Sequence, residues 1–138
     1  MQLTRQTDFA FRSLIYLAQL PEGEFGHIKD ICAYYDISPN HLSKIVVKLS
    51  RLGYIEAVRG KGGGIRLARA ADDINLAEIA AAFETTMHPV NCTKPRCRII
   101  TFCKLKSVLD EAMQAFITSL GEYSLADVVT GKKIAILK

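Results

Sequence analysis

Residues 36–55 read DISPNHLSKIVVKLSRLGYI, and the fold follows from how this stretch is built. Ser38 is a good helix N-cap, Pro39 sits at the first helical position where its missing N–H costs nothing, and Gly53 supplies the stop. Leu42, Ile45, Val46, Leu49 and Leu52 form one apolar stripe at helical spacing. The opposite face carries Asn40, His41, Lys44, Lys48 and Arg51. The segment just before it, with Ile28, Ile31, Cys32 and Tyr35 apolar, predicts a short helix of about two turns. A short helix, a tight turn and a second helix with a buried stripe and a basic, amide-bearing outer face predict a helix-turn-helix.

Downstream, YIEAVR (54–59) and IRLAR (65–69) are strand candidates joined by GKGGG (60–64), a β-hairpin wing. The glycine run is not a nucleotide loop. A phosphate-binding Walker loop needs Ser or Thr after the lysine, but Gly62 follows Lys61, and a dinucleotide fingerprint would need glycine where Ile65 stands. Upstream, Leu3, Ala10, Leu14, Leu17 and Ala18 predict a first helix over residues 3–20, ended by Pro21 and Gly23. Asn75 with Glu78 offers a capping box for a helix to about Phe83. Residues 105–120 place Leu105, Val108, Leu109, Ala112, Phe116 and Leu120 on one face, widened by Met113 and Ile117. So wide a stripe suits a partner chain as well as the chain's own domain.

The fold class expected is mostly α with a small β-hairpin wing: a winged helix-turn-helix followed by a long C-terminal dimerisation helix. The expected divisions are 1–84 for DNA binding, 85–104 for a cysteine-rich loop, and 105–138 for the dimerisation helix and tail. Charge supports a polyanionic partner. The chain carries 18 Lys/Arg against 14 Asp/Glu, and within 38–69 the balance is 7 against 1. A local excess of that size is an electrostatic footprint for a phosphate backbone. No stretch reaches the roughly 18 apolar residues of a membrane span, and the amino terminus has no secretory pattern, which together predict a cytoplasmic protein.

In a reducing compartment the stretch 92–107, CTKPRCRIITFCKLKS, reads as a metal or redox site rather than a disulfide framework. Its three cysteines are spaced C-x4-C-x5-C. Lys94, Arg96, Arg98, Lys104 and Lys106 favour thiolates and offset the negative charge of a thiolate-ligated centre. Structural zinc wants four protein ligands, while an iron–sulfur cluster accepts a non-cysteine fourth. Spacing alone leaves iron–sulfur, zinc and thiol redox chemistry open. Cys32, on an apolar helix face, is expected in the core. A disulfide oxidoreductase would favour C-x-x-C in a βαβ context, which is missing, and no clustered His, Ser and carboxylate set suggests hydrolysis.

The opening MQLTRQTDFAFRSLIYLA, the block SPNHLSKIVVKLSRLGYIEAVRGKGGGIRLA, the NC-x4-C-x5-C loop and the helix from Leu105 resemble, over essentially the whole chain, the bacterial winged-helix iron–sulfur regulators of the NsrR/IscR-like family. IscR-like members carry a histidine three residues after the third cysteine, where this chain has Lys106. The resemblance is instead to the nitric-oxide-sensing, NsrR-like members, whose T-D is matched by Thr7 and Asp8. It implies a homodimeric repressor that holds a [4Fe-4S] or [2Fe-2S] cluster on Cys92, Cys97, Cys103 and Asp8 of the partner subunit. It further implies release of a palindromic operator when nitric oxide reacts with the cluster. His88 or an exogenous ligand competes with Asp8 for the fourth position.

On the DNA side, Asn40 and His41 are expected to read bases, Lys44 and Lys48 to contact phosphates, and Ser38 with the helix N-terminus to hold another phosphate. The wing would bring Arg59, Lys61, Gly62 and Arg66 to the backbone or the adjacent minor groove.

Overall fold

The computed structural model describes residues 1–129 and residue 131, so part of the expected tail lies outside the described residues. The chain runs α1 (Arg5–Ala18), α2 (Ile28–Tyr35), α3 (Pro39–Arg51), β1 (Ile55–Val58), β2 (Gly64–Leu67), a 3-10 turn (Ala71–Asp73), α4 (Leu76–Phe83), α5 (Lys104–Leu120) and α6 (Leu125–Val128). It is a mostly helical winged helix-turn-helix with a two-stranded antiparallel wing.

Helix α1 starts at Arg5 rather than at residue 3, because Thr4 is its N-cap and accepts from the Thr7 N–H. Its stripe of Ala10, Leu14 and Leu17 packs into one core with Ile31 of α2 and with Leu42, Ile45, Val46 and Leu49 of α3. Full burial of each larger member contributes about 1.5–3 kcal/mol. Cys32 is buried in the same core as expected, and burial pushes its thiol up. Between α2 and α3, Asp36 takes the left-handed conformation and Ser38 accepts from the His41 N–H, which makes the tight turn.

The wing pairs Ile55 with Leu67 and Ala57 with Ile65. Gly26 bridges to β2 from outside the two strands, exchanging backbone hydrogen bonds of 2.8 and 2.9 Å with Ile65. Two glycines permit this closure. A Cβ at Gly63 would stand 2.1 Å from the Val58 carbonyl oxygen, and one at Gly64, whose φ is 154°, would stand 2.6 Å from that of Gly26.

Helix α4 is capped by the Asn75 side chain, which accepts from the Ala77 and Glu78 N–H groups. The capping box is half formed, because Glu78 turns away to accept from the Tyr54 hydroxyl at 3.3 Å. The same Asn75 amide donates to the Gly121 carbonyl, tying the start of α4 to the end of α5. Helix α6 was not expected. It returns to the core through Leu125, which is fully buried and whose N–H donates to the Ile74 carbonyl at 2.8 Å. Helix α5 buries none of its residues fully; Leu105 and Val108 stand exposed.

Candidate nucleic-acid interface and cysteine loop

The apolar stripe of α3 fixes what the helix shows to solvent. With Leu42, Ile45, Val46 and Leu49 inside, Asn40, His41, Lys44, Val47 and Arg51 are exposed. Val47, 55 % exposed, and Arg51 were not among the expected contacts. A β-branched apolar residue out of register with the buried stripe was the sequence signal for Val47.

Lys48 departs from its expected role. Its Nζ donates to the Ala82 carbonyl at 2.5 Å and lies 4.6 Å from the centroid of the Phe83 ring, so it braces α3 against the end of α4. On the wing, Arg59, Lys61 and Gly62 stand exposed at the tip. Arg66 pairs with Glu56 across the strands and stacks over Phe25, but the pair is about half exposed and holds Arg66 only weakly.

Beyond Phe83, Glu84 opens the loop that carries the cysteines. Its Oε1 accepts from the Thr7 hydroxyl at 2.6 Å, the Thr4 N–H at 2.8 Å and the Thr4 hydroxyl at 3.2 Å. The base of the loop is therefore fastened to the first turn of α1, and two residues before Glu84 the chain is fastened to α3 through Lys48.

All three loop cysteines are free and partly exposed. The Cys97 N–H donates to the Cys92 carbonyl, closing a turn around Pro95. Cys103 is the N-cap residue of α5 and makes no side-chain cap bond, leaving its sulfur at a helix N-terminus, which attracts negative charge. Lys106 lies within electrostatic reach of Cys92 and Cys103, and it pairs with Asp110. The Lys106 ammonium holds Asp110 below the usual carboxylate range, and Asp110 in turn raises Lys106. His88 stands 3.9 Å from the other oxygen of Asp110 and lines a depression of about 400 Å³ together with Cys92 and Lys106.

These donors suit an iron–sulfur or zinc centre in kind: three soft sulfurs, a helix N-terminus and a nearby ammonium. Among the described residues, however, no three His, Cys, Asp or Glu side chains are gathered closely enough to hold a metal ion. Asp8 lies on α1 and accepts from Arg12 at 2.9 Å, both groups being more than a third exposed. Such a surface pair is worth at most about 1 kcal/mol, so Asp8 can be released cheaply to another partner.

The fold is shared with solved transcriptional regulators. CymR, described as the global cysteine regulator of B. subtilis, superposes with a TM-score of 0.73 at 19% identity, covering 94% of this chain and 96% of its own. IscR from T. potens gives 0.75 at 23% identity, with 92% and 85% covered. The oxidized form of Staphylococcus aureus CymR gives 0.75 at 20%, with 98% and 99% covered. No helix among the described residues is long and apolar enough to cross a membrane. The model of the Rrf2 family, described as iron-dependent transcriptional regulators, matches residues 3–131, and this chain belongs to that family.

Proposed function

We propose that the chain is a homodimeric, DNA-binding repressor that senses nitric oxide through an iron–sulfur cluster, either [4Fe-4S] or [2Fe-2S]. The observation that carries the DNA half is the division of α3: four residues locked in the core, and Asn40, His41 and Lys44 left facing outward beside the exposed wing tip. The N-terminal part of α3 enters the major groove. There Asn40 and His41 read base edges, Val47 offers an apolar contact of the kind that suits a thymine methyl, and Lys44 meets a phosphate. Ser38 and the first turn of α3 hold a further phosphate, and Arg59, Lys61 and Gly62 approach the neighbouring backbone.

Cys92, Cys97 and Cys103 would hold the cluster, with Asp8 from a second copy as the fourth donor. A bound cluster would supply iron open to nitric oxide, and a carboxylate such as Asp8, a harder donor than thiolate, would be the ligand given up most readily. The chain's own residues carry the consequence. Glu84 fastens the loop base to Thr4 and Thr7, one residue from Asp8, and Lys48 fastens the same base to α3. Strain on the loop or on α1 therefore reaches the recognition helix through two adjacent brackets, a coupling between two sites by differential contacts.

Anaerobic purification with iron and sulfide analysis, followed by gel shifts on operator DNA with and without nitric oxide, tests the reading. Brown protein that holds operator and releases it on exposure supports it. Protein free of iron and sulfide that binds operator normally overturns it.

A second reading, direct thiol redox regulation, is favoured by one observation: the three thiols are free, partly exposed and not drawn to a common point. Operator release by a mild thiol oxidant in iron-free protein would select it.

A further inference from the structure

We infer that the first turn of α1 forms a second lip of the DNA site, in which Arg5 and Arg51 straddle one sugar–phosphate strand beside the groove that α3 enters. A groove of about 800 Å³ separates this turn from the outer face of α3. Phe9, Ile45 and Val47 form its apolar floor, and Arg5, Lys44 and Arg51 stand around it.

The three cations differ from the others nearby. Arg12 is paired with Asp8, Arg66 with Glu56, Lys48 with the Ala82 carbonyl, and Arg69 donates to the Gly53 carbonyl and lies over Tyr54. Among the described residues, nothing pairs with Arg5, Lys44 or Arg51. Uncompensated positive charge around an apolar trough matches a backbone strand, with phosphates for the cations and a sugar face for the floor. The groove is continuous with the exposed face of α3, and His41 lines both. The lip is also held firmly, since Thr4 and Thr7 on either side of Arg5 are fixed by Glu84. An arginine on a fixed turn gives up less freedom on contact than one on a loose arm.

This assignment rests on the DNA-binding reading, and the experiment separates the two. Full-length wild type, Arg5→Ala, Arg51→Ala and Arg5→Lys are titrated with mixed-sequence duplex DNA at several salt concentrations. Circular dichroism and sedimentation are recorded alongside. Each alanine variant should lower the log–log salt slope by about 2, one contact being lost in each protomer of the dimer, with unchanged helix content and size, while Arg5→Lys keeps the slope. A wild type that binds steeply with salt, beside an Arg5→Ala protein of the same slope, overturns the second lip and leaves the DNA reading intact. If Arg5→Ala keeps the slope but changes the sedimenting mass, the groove seats another copy of the chain and the assignment is again overturned. A wild type without salt-dependent binding removes both.

Discussion

The Thr7 hydroxyl, fully buried, donates to the Glu84 carboxylate at 2.6 Å across 77 residues of sequence. That bond joins the first turn of the chain to the start of the cysteine loop. Glu84→Ala would leave the Thr7 hydroxyl buried with only Thr4 beside it, and an unsatisfied buried group costs about 1–3 kcal/mol. Glu84→Gln keeps a carbonyl acceptor, and its cost should be about half as large or less. Urea denaturation of both variants tests this, and equal losses would show that Thr7 does not depend on Glu84 as an acceptor.

Lys44 and Lys48 lie four residues apart on α3 and should behave oppositely. Lys48→Met removes a donor from the Ala82 carbonyl and a cation from the Phe83 ring, so stability should fall by about 1–2 kcal/mol while the salt slope of DNA binding holds. Lys44→Met should leave stability within about 0.5 kcal/mol and lower the slope by about 2, one contact per protomer of the dimer. A slope drop in Lys48→Met equal to that in Lys44→Met would restore Lys48 as a phosphate contact.

The contrast between these lysines marks the limit of reading the sequence. Ser38, Pro39, the stripe and Gly53 are local signals, and α3 formed as they predict, as did the wing, except that Leu52 at the C-cap of α3 stands 40 % exposed rather than in the buried stripe. The partner of Lys48 lies 34 residues away, and no periodicity reports such a distance. Thr7 and Glu84 met for the same reason, through tertiary packing of α1 on α4. Helix α6 was legible in principle: Ser124 and Asp127 make a capping box around Leu125. It spans four residues, too few for a helical period to stand out. On the wing, the Glu56–Arg66 pair followed from strand register, which the candidate strands fixed only loosely before Ile55 and Leu67 were seen to face each other.

The cysteines should divide by burial. Cys92, Cys97 and Cys103 are partly exposed, whereas Cys32 is buried and its thiol is pushed up by desolvation. Iodoacetamide on folded, iron-free protein should therefore add three carbamidomethyl groups within minutes, and a fourth only in denaturant. Mass spectrometry of intact protein reads the count. Rapid modification of Cys32 in folded protein would mean that α2 opens far more readily than its packing allows.

Three tyrosines set an alkaline limit. Desolvation is the first cause raising Tyr16, Tyr35 and Tyr54, and Glu78 adds to it for Tyr54. A phenol that ionises less readily folded than unfolded contributes its full stabilisation below the unfolded value near 10 and loses it as pH climbs through the raised folded value. Thermal midpoints should thus fall as pH rises above about 10. Tyr54→Phe should fall less steeply there than wild type. Parallel pH profiles for the two proteins would rule out Tyr54 as a contributor.

The proposed dimer would pair through the first two turns of α5. Leu105 and Val108 are 64 % and 59 % exposed, and Phe102 just before them is 72 % exposed, an apolar surface that the described residues do not cover. Leu120, at the far end of the same helix, packs against the chain's own core, so one helix serves two packings. Exposed apolar side chains clustered at helical spacing mark a protein partner, and a second copy presents the same surface to itself across a two-fold axis. Leu105→Glu combined with Val108→Glu places like charges face to face in that contact. Sedimentation should show wild type as a dimer and the double variant as a monomer with unchanged helix content. Because two-fold pairing sets two α3 helices about 34 Å apart or a multiple of it, the monomer should also lose its preference for a palindrome over a half-site. A double variant that remains dimeric would move the interface off this face of α5.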